Sequence, residues 1–263
     1  MSAKTDASRA ALEAVIDART RELKLPSIGN RFRALAEETL REQGTPMEYL
    51  AALLEAEAED RMERRKTRRL KEARFPQIKH LEDFRFDDNP KVSASTIRTL
   101  ADMEWIKKRE SVILIGDSGT GKTMLATALG VIACRQDFRV RFVTLAALAG
   151  ELMEAREELT LSRIIGRYRR FDLLILDELG YLALPGDAAE LVFQVLSERN
   201  EQGSLILTTN LPFGEWTKVF EDPRLAKAVI DRLTHNAHII DTGQESWRLR
   251  HGLKTGKKEV DRD

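Results

Sequence analysis

With Cys134 its one cysteine, the chain cannot form an intramolecular disulfide. That excludes a disulfide-stapled scaffold and fits a reducing, cytoplasmic setting. Aromatic residues are scarce at 6%, and beside a charged share of 33% they argue for a helix-rich, solvated surface rather than an all-β protein. Net charge is absent too, because 43 Lys plus Arg cancel 43 Asp plus Glu. No global field therefore steers the protein toward nucleic acid or membrane, and any such attraction must come from local clusters. Long apolar runs are lacking. The longest weakly polar stretch, 125–134, is half of the roughly 20 residues that span a bilayer. The first 18 residues include acids and no apolar core segment, unlike a secretory signal. Membrane-spanning and secreted readings are thereby set aside. What is present, 42% hydrophobic residues in 263, suits one large α/β domain or a medium domain with an appendage.

Residues 1–75 contain no convincing strand. Leu12, Val15, Ile16 and Leu23 recur at helical spacing, and a second helix is expected over about 27–41. After Gly44, Thr45-Pro46-Met47-Glu48 reads as a capping box with proline at the first helical position. The helix that starts there meets no breaker before Phe75-Pro76, about 28 residues or ~42 Å. Its expected apolar stripe is Met47, Leu50, Leu54 and Ala58. The result is a small all-helical domain over 1–75. The second half of that helix, residues 61–74, holds eight basic and two acidic residues. Arg61, Arg64, Arg65 and Arg68 share one face. Such a run is commonly only a solvated surface, but four arginines on one stripe also suit phosphate.

Residues 76–110 read as a linker and an entry helix capped at Ser93. From 111 the pattern alternates. Apolar runs at 111–115, 140–144, 173–177, 204–208 and 237–240 are separated by amphipathic stretches. Short strands buried on both faces and alternating with helices predict a five-stranded parallel sheet in a doubly wound α/β core over 111–250. A basic tail, 251–263, follows.

The strongest chemical signal is Gly116-Asp117-Ser118-Gly119-Thr120-Gly121-Lys122-Thr123. It matches the P-loop pattern and lies between a predicted strand and a predicted helix. Its glycines let backbone N–H groups turn inward around a β-phosphate, assisted by the helix N-terminus. Lys122 is placed for the β/γ-phosphates of ATP and Thr123 for Mg2+. The strand 173–176 then ends in Asp177-Glu178. Adjacent acids at the end of a buried strand are costly unless they act at the sheet's C-terminal edge. Asp177 suits the metal, and Glu178 suits polarising the attacking water, which favours hydrolysis over transfer to a small molecule. A third strand ends Thr208-Thr209-Asn210, where the Asn210 amide can hold that water from the other side.

These motifs, in this order, resemble the AAA+ ATPases. The stretches 171–184, 191–216, 225–240 and 243–250 are similar to one branch of them, the IstB-like transposition helper ATPases, and FGEW, DRLTH and DELGY are the traits that carry the likeness. The resemblance covers nearly the whole chain. It implies a P-loop AAA+ core with a helical N-terminal domain, and an ATP-dependent homo-oligomer that binds double-stranded DNA without sequence specificity and serves a cognate transposase. Separately, the 23 residues after Ile240 are too few for a full helical lid, which is expected to be missing or vestigial. The resemblance also implies an arginine acting on a neighbouring subunit's ATP. Arg232 is favoured over Arg224, and Arg248 is a candidate substitute sensor. The P-loop departs from the family's usual form in GDSGTGKTM, and the third strand in TTN, without loss of a catalytic group. The alternatives are a replicative helicase loader of the same branch and a P-loop kinase. Besides the arginine stripe, Arg163, Arg167, Arg169 and Arg170 form a second basic cluster.

Overall fold

A computed structural model describes residues 2–200, 202–244 and 246. The chain divides into two compact units, Met1–Thr67 and Arg68–Asp263. The division falls inside a continuous helix.

The first unit holds α1 (Ser2–Glu22), α2 (Pro26–Arg41) and most of α3 (Pro46–Ala73). The capping box forms. The Thr45 N–H donates to Glu48 Oε2 at 2.6 Å, and the Glu48 N–H to Thr45 Oγ1 at 3.2 Å. The expected apolar stripe, however, is not the buried one: Met47, Leu50 and Leu54 are 75%, 50% and 56% exposed. The face turned to α2 is one step round the helix. There Leu53, Ala56 and Glu57 are buried, the Tyr49 hydroxyl donates to the Phe32 carbonyl, and Arg31 donates to Asp60. Polar residues at the packing positions disguised it.

Glu57 explains two of the four arginines. Its buried carboxylate accepts the Ser27 and Ile28 N–H groups at 2.9 and 3.3 Å, two of the unpaired donors at the start of α2. Arg61 and Arg64 each reach its other oxygen at 3.3 Å. Arg61 also donates to the Lys24 carbonyl and Arg64 to Ser27 Oγ. A buried carboxylate requires such partners.

In the second unit, β1 (Ser111–Ile115), β2 (Val140–Thr144), β3 (Leu173–Leu179), β4 (Ser204–Thr209) and β5 (Ala237–Asp241) form one parallel sheet ordered β2-β3-β4-β1-β5. Each strand lies where an apolar run predicted it. The edge strand β5 departs in one respect, being largely exposed, with Ile239 open and His238 bonded to Glu110 at 2.8 Å. One face of the sheet is covered by α7 (Leu145–Glu157), α8 (Leu161–Arg169), α9 (Gly186–Arg199) and α10 (Pro223–Thr234). The other carries α6 (Lys122–Arg135), together with α4 (Ala94–Ala101) and α5 (Glu104–Lys107). Cys134 is buried in α6, and burial pushes its thiol up to about 12.

Residues 76–110 are part of this core rather than a spacer. Phe84, Val92, Ile97, Leu100, Met103, Trp105 and Ile106 pack in one cluster with α6. The entry helix begins as predicted, with Ser93 Oγ accepting the Thr96 N–H at 3.3 Å. It breaks at Met103, whose backbone is left-handed. Among the described residues no helix is long and apolar enough to cross a membrane.

Candidate active site

Strand order decides what meets. β3, β4 and β1 are neighbours, so the segments leaving their C-terminal ends converge where open α/β sheets bind ligands. The P-loop leaves β1 and enters α6. Gly119 and Gly121 hold positive φ, +82° and +95°. A Cβ on Gly121 would stand 2.6 Å from the Phe84 ring, so this residue must be glycine for conformation and for space. Lys122 Nζ donates to the carbonyls of Gly116 and Asp117, both at 2.7 Å. Burial pushes its ammonium below the usual lysine range, opposed by the charges of Asp177 and Asp117. Its hydrogen bonds thus go to neutral acceptors that phosphate oxygens can outcompete.

The loop is braced from residues that sequence reasoning did not single out. Thr120 Oγ1 lies 2.6 Å from Thr242 Oγ1. Asn89 Nδ2 donates to the carbonyls of Thr120 and Thr242, at 3.2 and 2.8 Å. The Asp117 N–H donates to the Gly243 carbonyl at 2.9 Å.

Asp177 is buried at the end of β3 and accepts the Thr123 hydroxyl at 3.0 Å. Glu178 follows with φ +65°, a left-handed conformation costing a non-glycine residue about 1–2 kcal/mol. The ladder between β3 and β4 is irregular here, and Glu178 is exposed while both neighbours are buried. The bulge therefore turns one carboxylate into the structure and the next outward. Asn210 contributes a buried Oδ1 with no hydrogen-bond partner. Beside it stands Gly180, at φ +120°, where a Cβ would lie 2.2 Å from that oxygen. Tyr181 reaches back across the site and donates its hydroxyl to Ser118 Oγ at 3.0 Å.

Ser118 to Thr123, Glu178 and Asn210 line one cleft of about 450 Å³. Gly116 and Asp117 lie beneath the Lys122 ammonium, and Asp177 stands behind Thr123. Residues 76–110 form another wall, with Lys79, Phe84, Arg85 and Asn89 in the lining. The sequence reading of 76–110 as a linker and an entry helix did not anticipate that wall. Arg232 and Arg224 are not in the cleft lining. Arg232 is exposed on α10, its guanidinium 4.5 Å above the Phe193 ring. Arg224 is exposed at the start of α10, where Asp222 caps its N–H at 2.8 Å. Arg248 and the basic tail lie outside the described residues. Arg68, the one of the four stripe arginines that lies in the second unit, is not in the cleft lining.

The residues fit magnesium. A hydroxyl and a carboxylate are hard oxygen ligands, and Thr123 and Asp177 are already in contact. Among the described residues no group of three His, Cys, Asp or Glu side chains could hold a metal by itself.

The family described as IstB-like ATP binding protein matches residues 18–255. An insertion-sequence ATP-binding protein of Sinorhizobium fredii is 38% identical over 234 residues, covering 89% of this chain and 78% of its own. The IS21 ATP-binding protein of Pseudomonas aeruginosa is likewise 38% identical over 234 residues, covering 89% and 88%. Among solved structures, AMPPCP-bound DnaA from Aquifex aeolicus superposes with a TM-score of 0.56 at 18% identity, over 70% of this chain and 56% of that one. That likeness is one of fold. From residue 18 to residue 255, through both units, the chain belongs to the IstB-like ATP-binding family.

Proposed function

We propose that this protein is a cytoplasmic, magnesium-dependent ATPase that assembles as an oligomer on double-stranded DNA and serves a transposase in insertion-sequence transposition. The observation that carries the hydrolytic part is the convergence in one cleft of Lys122, Glu178 and the unpartnered Oδ1 of Asn210. Lys122 exchanges its two carbonyl acceptors for β/γ-phosphate oxygens. Thr123 and Asp177 would hold Mg2+, which would neutralise charge on the phosphates. Glu178 accepts a proton from the attacking water, and Asn210 Oδ1 accepts the second hydrogen and fixes its direction. Glu178→Gln preserves the shape but removes the base. Turnover should fall about 10²–10⁴-fold while the ATP Kd stays within a few-fold, measured by phosphate release and nucleotide titration. Turnover at the wild-type level would make Glu178 a bystander and overturn the assignment.

The names of the relatives, insertion-sequence ATP-binding proteins, support the transposition context, and the arginine face of α3 supports DNA. Arg61 and Arg64 remain half-exposed although they pair with Glu57. Arg68 is exposed and pairs with Glu72 at 3.6 Å. An exposed pair such as Arg68 with Glu72 contributes little, so phosphate can displace it. Contacts to about six phosphates give a log–log salt slope near −5. Arg61 and Arg64 are poor targets for substitution because Glu57 depends on them. Replacing Arg65 and Arg68 with Ala should flatten the slope by about 2 and leave ATP affinity unchanged. An unchanged slope would move DNA to the cluster around Arg167, whose guanidinium pairs with Glu151.

A further inference from the structure

We infer that Thr208 is a positioning residue for hydrolysis, its one hydroxyl setting the Asp177 carboxylate and the Glu178 backbone together. This rests on the proposed role of Glu178 as base. The ladder between β3 and β4 pairs Leu176 with Leu207 and then Leu179 with Thr209. Between those pairs two residues, Asp177 and Glu178, stand against one, Thr208, which is the arithmetic of a β-bulge. A bulge leaves backbone groups without ladder partners. Here the orphaned Glu178 N–H donates to Thr208 Oγ1 at 3.0 Å. The same hydroxyl spends its proton on Asp177 Oδ1 at 2.5 Å. A hydroxyl has one proton to give and lone pairs to accept, and both capacities are used on adjacent residues of β3.

The burial makes this informative. Thr208 follows the apolar run Leu205-Ile206-Leu207 and is buried itself. Valine would fill the same volume in such a place, and an uncompensated buried hydroxyl is unfavourable. What the hydroxyl maintains is a left-handed Glu178, exposed to the cleft, next to an inward Asp177 that touches Thr123. Losing it leaves the Glu178 amide without a partner and Asp177 Oδ1 with the Thr123 hydroxyl alone, and the bulge is free to relax toward a regular ladder. A regular ladder would re-aim Glu178, because side chains alternate along a strand. Phosphate contacts made by Lys122 and the P-loop are untouched.

The test is ATP turnover and ATP affinity in Thr208→Val, Thr208→Ser, Glu178→Gln and the Thr208→Val/Glu178→Gln double variant of the full chain. Thr208→Val should lose roughly 30-fold in kcat, a part of what a general base supplies, with the ATP Kd moving less than about three-fold. Thr208→Ser keeps the hydroxyl and should stay within about three-fold of wild type. In the Glu178→Gln background the valine should cost almost nothing more, since residues acting as a unit are non-additive. If the valine variant does not fold, the Ser and Ala variants of Thr208 isolate the hydroxyl in the same way. Equal losses in Val and Ser, normal turnover in Val, or a full loss persisting without Glu178 would each overturn the inference. Normal turnover in Glu178→Gln would instead overturn the parent reading, so the two failures are distinguishable.

Discussion

Lys122→Ala should weaken ATP binding about 1,000-fold and remove hydrolysis with it. The ammonium is buried and bonds to two loop carbonyls at 2.7 Å, so it stands within reach of any phosphate held in the loop. A unit charge at 4 Å from another contributes about 4 kcal/mol at an effective dielectric constant near 20, which is about three decades in Kd. Titration with ATP in the presence of magnesium measures it. Two other cations, Lys79 and Arg85, also line the cleft. A variant Kd within ten-fold of wild type would mean that the phosphates lie against those two instead, and the P-loop assignment would fall. Loss of binding in Lys122→Ala alongside retained binding in Glu178→Gln would separate the group that holds the nucleotide from the group that turns it over.

The parts of this molecule that could be read from sequence are those whose cause is local. Buried parallel strands must be apolar on both faces, so runs such as Ser111–Ile115 and Ser204–Thr209 stand out against amphipathic helices. Thr45 and Glu48 cap α3 through bonds within four residues, and the P-loop carries its geometry in its own glycines. The missed parts depend on partners far along the chain. Asn89 matters because it bonds to Thr242, 153 residues away, and Phe84 because its ring covers Gly121. Neither relation leaves a periodic trace, so the segment 76–110 passed for a linker. α3 misled for another reason. Its exposed Met47, Leu50 and Leu54 make a better apolar stripe than its packed face, where Glu57 and Asp60 serve α2 through ionic and hydrogen bonds. Thr208 left a legible mark, a polar residue closing an apolar strand, but its meaning required the register shift beside it.

Arg232→Ala should bind ATP normally and hydrolyse it 10³–10⁵-fold more slowly, the range an arginine finger supplies. Arg232 is not in the lining of its own chain's cleft, so the proposed finger role requires a neighbouring subunit. In the free chain its guanidinium rests on Phe193 at 4.5 Å. An exposed cation–π contact contributes about 0.5–1 kcal/mol, little enough to be surrendered to a γ-phosphate. If the site is completed between subunits, specific activity should rise with protein concentration, and DNA should raise it further by gathering subunits along the duplex. Complementation is the stricter measurement. Arg232→Ala retains a complete P-loop and lacks the finger, whereas Glu178→Gln retains the finger and lacks the base. A head-to-tail assembly of the two in equal amounts places a competent P-loop beside a competent finger at about one interface in four by random mixing. Turnover of the mixture should therefore approach a quarter of wild type although each component alone is inactive. Activity that stays at the level of the separate variants, with co-assembly demonstrated, would eliminate Arg232 as the shared group. The same mixture made with Arg224→Ala would then test the other exposed arginine of α10, which begins that helix one residue after Pro223.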